Sequence, residues 1–107
     1  MSAEMRIAQV EHCDSMQDVR RNIDALDSEI VALLSRRCGY VAQAGRIKQH
    51  AHQIVDEARI EFIIDKVSAQ AASLGAPPAV VASAYRALIA ASIEFEQGEF
   101  KRLGKQG

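Results

Sequence analysis

From Val19 onward the apolar positions recur at steps of four and three residues: Val19, Ile23, Leu26, Ile30 and Leu33, then Arg37, Tyr40, Ala44 and Ile47. This is the spacing of one face of an α-helix. No proline interrupts it, and the only interior glycines are Gly39 and Gly45. Ser15 followed by Asp18 offers a helix start, with Asp14 as an alternative cap. The pattern predicts one helix from about residue 15 to Lys48, nearly nine turns and about 50 Å long at the usual rise per residue. So long an element exceeds what the rest of a short chain can cover, and a partner chain is its natural cover.

Residues 49–55 mix Gln, His and Ala and read as a loop. Asp56 then offers a cap for a second helix carrying Ile60, Ile63, Ile64 and Val67, ending near Ser73. The segment Leu74-Gly75-Ala76-Pro77-Pro78 combines a glycine stop with prolines suited to a turn and a new first helical turn. A third helix follows through Val81, Ala84, Tyr85, Leu88, Ile89, Ser92, Ile93 and Phe95 to about Leu103, and Gly104 to Gly107 should fray. The architecture predicted is all-α, with three helices per chain. Residues 1–13 read as a flexible N-terminal tail and 14–107 as a single helical domain.

Composition supports this reading and removes several functions. Among 107 residues, 49% are hydrophobic and 5% aromatic, with no tryptophan, which favours closely packed helices over a sheet. The formal net charge of -1 supplies no field to gather nucleic acid or an anionic membrane. Cys13 and Cys38 lie outside any C-x-x-C spacing and have only three histidines for company, so neither a metal site nor a disulfide is expected. No stretch resembles a signal peptide, and no run approaches the roughly 20 apolar residues of a membrane span. A cytoplasmic protein is the expectation.

Some polar residues stand where aliphatic ones belong. Arg37, Val41, Ala44 and Lys48 share one stripe of the long helix, two cations flanking a small apolar floor. Arg37 falls on the apolar seam itself, where an unpaired guanidinium would be costly, so something anionic must meet it. A carboxylate of the fold would do so as well as a ligand, with Lys48 merely solvated near a helix C-terminus. Arg20 carries the same ambiguity, whereas Arg21, Arg36 and Arg46 read as surface charges. On the third helix Tyr85, Ile89, Ser92 and Glu96 form a second stripe, which spacing alone would also allow as a solvated edge. Glu94, Glu99, Lys101 and Arg102 read as solvated face.

The string VRRNIDALDSEIVALLSRRCGYVAQAGRIK, residues 19–48, resembles the first helix of the all-helical chorismate mutases. Its elements are an arginine ahead of I-D-x-L-D, an R-R pair, and a lysine eleven residues after the second arginine. Downstream, D-x-x-R stands at Asp56 to Arg59 and S-I-x-x-E at Ser92 to Glu96, in the order that family has. The resemblance implies an intertwined homodimer. In it Arg20 would reach into the partner's active site to hold one substrate carboxylate, and Arg37 would hold the other within its own chain. It further implies that Lys48 donates to the ether oxygen of the breaking bond. Arg59 and Ser92 would be supporting contacts, and Asp56 would order the loop or meet a substrate hydroxyl. Glu96, where relatives have Gln or Glu, would complete the hydrogen bonding at the ether oxygen.

The implied reaction is the rearrangement of chorismate to prephenate, a step of aromatic amino acid biosynthesis, without cofactor, metal or nucleophile. Such a site need supply only a compact conformer and donors aimed at the charge developing on the ether oxygen. An ionised Glu96 would repel that oxygen and a neutral one would donate to it, so activity should favour the protonated form. The nearest alternative is isochorismate-pyruvate lyase, which resembles this chain at Arg36-Arg37-Cys38-Gly39-Tyr40-Val41, Ala44 and Arg46 but has Gln where Glu96 stands. A non-catalytic helical dimer that kept the fold as an interaction module is a third reading.

Overall fold

A computed structural model describes residue 7 and residues 9–105. Three helices account for most of them: α1 Met16–Ile47, α2 Glu57–Ser73 and α3 Pro78–Arg102, with a short 3-10 turn at Ala51–Gln53 that the sequence pattern did not resolve from loop. No strand occurs among the described residues. The helix ends follow local chemistry. The Ser15 side chain, rather than Asp14, caps α1 by accepting from the Asp18 N–H, and the Asp56 carboxylate caps α2 by accepting from the Arg59 N–H at 3.0 Å, each cap contributing about 1 kcal/mol.

Both C-termini of the hairpin-forming helices end the same way. Gly75 at φ 82° and Gly104 at φ 75° take the left-handed conformation that lets the chain turn back on the last helical carbonyls. After α2, the N–H of Ala76 donates to Ala71 and that of Gly75 to Ala72; after α3, the N–H of Lys105 donates to Phe100 and that of Gly104 to Lys101. The fraying expected from Gly104 onward is therefore wrong for Gly104 and Lys105, because these carbonyls hold them; residues 106 and 107 lie outside the described residues. Of the predicted tail, residues 1–6 and 8 also lie outside them. Residues 7 and 9–13 form no helix, and Cys13 is met by the Asn22 side chain of α1.

The short turn after α2 folds α3 back along it. α1 crosses α3 in the same chain direction: Arg37 meets Ser92, and Gly45 stands against Glu96 and Glu99. Gly45 is buried here, where its missing side chain permits close approach. The core comprises Ile54, Ile64, Ala71, Ile89 and Phe100. Within α1 only Gly45, near the C-terminal end, is buried. The molecule is accordingly drawn out to 57 × 26 × 15 Å, and Ile23, Leu26, Ile30 and Leu33 on the first half of α1 remain 50 to 60% exposed.

One expectation needs correcting. By length and composition α3 does qualify to cross a membrane, with a mean hydropathy of 1.2 over its most apolar stretch. Counting uninterrupted apolar runs missed it because Arg86 breaks the run while the alanines and valines around it keep the average high. Here the helix packs against α1 and α2 and buries Glu96.

Candidate functional site

The three helices and the loop after α1 enclose an open pocket of about 440 Å³. Its floor is aliphatic, formed by Val41 and Ala44 of α1, Ile60 and Ile63 of α2, and Ile89 and Ile93 of α3. Six of the seven site residues expected from the sequence line it: Arg37, Lys48, Asp56, Arg59, Ser92 and Glu96. They come from all three helices and from the α2 cap, so only the packing brings them together. Arg20 does not join them. It is exposed near the start of α1, about 25 Å from Arg37 along the helix axis at the usual rise per residue.

Each side chain is held by a neighbour. Arg37 Nη1 donates to Ser92 Oγ at 3.0 Å, which orients the guanidinium across the α1–α3 contact. Among the described residues no carboxylate lies within ion-pair distance of Arg37, so of the two anionic partners the sequence allowed, the fold supplies none; the side-chain partner it does supply is the neutral Ser92 hydroxyl. One seryl oxygen leaves the guanidinium's charge uncompensated and most of its donors free for a ligand. Arg59 stacks its guanidinium over the Phe62 ring, 5.2 Å from the centroid, while its backbone is fixed by the Asp56 cap. Ordering the start of α2 is thus what the Asp56 carboxylate does here.

Lys48 and Glu96 form the deepest polar contact. Lys48 is the residue at which α1 ends; its N–H donates to Ala44 and its backbone then turns extended, with ψ 138°. The ammonium lies 2.7 Å from Glu96 Oε2, and Glu96 is only 6% exposed. The solvated-edge reading of Glu96 and the solvated reading of Lys48 are both set aside by this burial. The approach is off the line a hydrogen bond requires, so Oε2 is buried against a cation without an aligned donor.

One further carboxylate departs from the solvated face assigned to it. Glu99 is half-buried behind Glu96, and Arg102 clasps it through Nε and Nη2 at 2.8 to 3.2 Å. That hydrogen bonding holds the Glu99 carboxyl below its ordinary range, against a smaller opposing effect of desolvation, and it raises Arg102 in turn. The pocket also contains residues that sequence spacing did not single out, Gln53 and Ile54 among them. Gln53 Oε1 accepts from the N–H groups of Gln49 and His50, closing the loop over the end of α1. A seven-residue loop carries no period from which this could have been read.

A three-helix domain whose pocket sets cations of two helices around an aliphatic floor, beside one buried carboxylate, has the make-up of a small-molecule pocket. The model of the chorismate mutase type II family matches residues 19–97, most of the chain and every element that lines the pocket. The chain belongs to the chorismate mutase type II family. A comparison with curated proteins finds no match.

Proposed function

We propose that this chain catalyses the rearrangement of chorismate to prephenate, in a homodimer whose two sites each draw one arginine from the partner. The observation that carries the reading is the convergence of Arg37, Lys48, Arg59, Ser92 and Glu96 on a single pocket of a chorismate mutase type II chain. In the reaction one C–O bond breaks and one C–C bond forms within the same molecule, and no proton or electron enters or leaves. Arg37 binds one carboxylate, its plane set by Ser92, and Arg20 of the second protomer binds the other. The aliphatic floor holds the ring and the side chain in the compact conformer. As the C–O bond lengthens, negative charge gathers on the ether oxygen, and the Lys48 ammonium donates to it. Glu96, 2.7 Å from that ammonium, holds it at this end of the pocket.

The partner arginine is supported by the exposed apolar stripe of α1, which a second α1 would cover, and by the distance of Arg20 from its own pocket. The free thiols of Cys13 and Cys38 fit a reducing compartment, the cytoplasm. A second reading, isochorismate-pyruvate lyase, rests on the Arg36 to Val41 string and uses the same cations. Incubating the purified protein separately with chorismate and with isochorismate decides between them: prephenate from the first is the expected product. Salicylate plus pyruvate from the second, without prephenate, would establish the lyase instead, and turnover of neither would leave a binding module.

A further inference from the structure

We infer that Lys105, beyond the end of α3, is a positioning residue for Lys48 that holds the C-terminus of α1 where the pocket needs it; the inference builds on the proposed role of Lys48. An α-helix ends with carbonyls that lack intrahelical partners and carry the negative end of its dipole. At the end of α1 those of Gly45, Arg46 and Lys48 converge on one ammonium: Lys105 Nζ donates to Gly45 at 3.4 Å, to Lys48 at 2.7 Å, and to Arg46. All three donor sites of the ammonium are thereby used. The ammonium also lies over the Phe100 ring, 5.6 Å from its centroid.

The contact spans almost sixty residues and is built from two local devices. The left-handed Gly104 turns the chain at the end of α3, and the N–H of Lys105 bonds to Phe100 to fix where its side chain starts. One of the three carbonyls belongs to Lys48 itself, whose own ammonium lies against Glu96. The residue proposed to meet the ether oxygen is therefore gripped at its backbone by one group and at its side chain by another. The backbone grip falls where α1 passes into loop, the point at which a helix frays most readily.

Loss of the grip lets the last turn of α1 open, and Lys48 then samples positions from which it reaches the ether oxygen poorly. Small misplacements of a catalytic group reduce turnover steeply, by up to about a hundredfold for about 1 Å. Substrate affinity, which rests on the carboxylate-binding arginines, changes little. The expected result for Lys105→Met is a kcat about tenfold lower with KM within about twofold of wild type, a partial loss on that scale. Lys105→Arg, which keeps the charge and donors, should recover most of it. Lys101→Met, one helical turn away and with no side-chain hydrogen bond to α1 among the described residues, should match wild type.

Amide hydrogen exchange across residues 45–49 gives a readout independent of turnover, and Lys105→Met should accelerate it relative to wild type and Lys101→Met. An unchanged kcat in Lys105→Met, or an equal loss in Lys101→Met, would overturn the positioning role. Should wild type itself turn over neither chorismate nor isochorismate, the proposed function fails and the exchange data still judge the tether: faster exchange supports it, and unchanged exchange sinks it.

Discussion

At Glu96 a carboxylate stands almost fully buried on α3, with the Lys48 ammonium 2.7 Å from Oε2 as its compensating charge. Removing the lysine alone leaves that carboxylate without its cation, which costs more than the pair is worth. Lys48→Met is expected to lower kcat/KM for chorismate by about 10²- to 10³-fold, the usual consequence of deleting a preorganised donor. It should also lower stability by about 1 to 3 kcal/mol, because a buried carboxylate loses its counter-charge. Adding Glu96→Gln should restore much of the stability and none of the rate, and denaturant melts of the two single variants and the double variant check this coupling. The spacing of Arg37 and Lys48 on α1, and of Ser92 and Glu96 on α3, was legible in the sequence, while which residue of one stripe meets which of the other was not. Helical period states which residues share a face; it does not state what that face meets.

Helix boundaries were the most legible feature, because caps are local. Ser15, Asp56, Gly75 and Pro78 each act within about four residues, and the structure uses each as the sequence predicts. Gly45 shows the opposite case. In an isolated helix it would only weaken α1, by up to about 1 kcal/mol relative to alanine. In the fold it lets α3 approach so closely that a Cβ there would lie 3.4 Å from the Glu96 carbonyl oxygen and 3.5 Å from Glu96 Cγ and Glu99 Cβ. Alanine fits that space as an ordinary contact, so Gly45→Ala should remain within about 1 kcal/mol of wild type by thermal melting. Gly45→Leu cannot fit without moving α3. It should lose about 1 to 3 kcal/mol through overpacking and lose turnover as well, because Glu96 is displaced from Lys48. Equal behaviour of the two variants would mean that the α1–α3 approach is looser than this geometry.

For the whole molecule, the decisive feature is that α1 outruns the chain that folds against it. Its first half presents Ile23, Leu26, Ile30 and Leu33 to solvent, an apolar row without cover in a molecule 57 Å long. In the proposed dimer a second protomer covers this row and brings an Arg20 toward the pocket. Ile30→Glu places a charge in its middle and should yield a monomer in sedimentation experiments, with turnover lost although every pocket residue of the chain is intact. Mixing Arg20→Ala and Arg37→Ala dimers under subunit exchange should restore part of the activity, because one of the two sites then has both arginines. Failure to recover activity despite demonstrated exchange would confine each site to one chain.

The sequence by itself determined the helices, their caps and the placing of two cations on one stripe, because these follow from period and from interactions a few residues long. Tertiary structure alone decided that Lys48 would lie on Glu96, that a serine rather than a carboxylate would meet Arg37, and that Lys105 would close the end of α1. Those contacts depend on how far one helix slides along another and at what angle they cross. Many slides and crossings satisfy the same periodic pattern, and close packing at Gly45 and the aliphatic floor selects one of them.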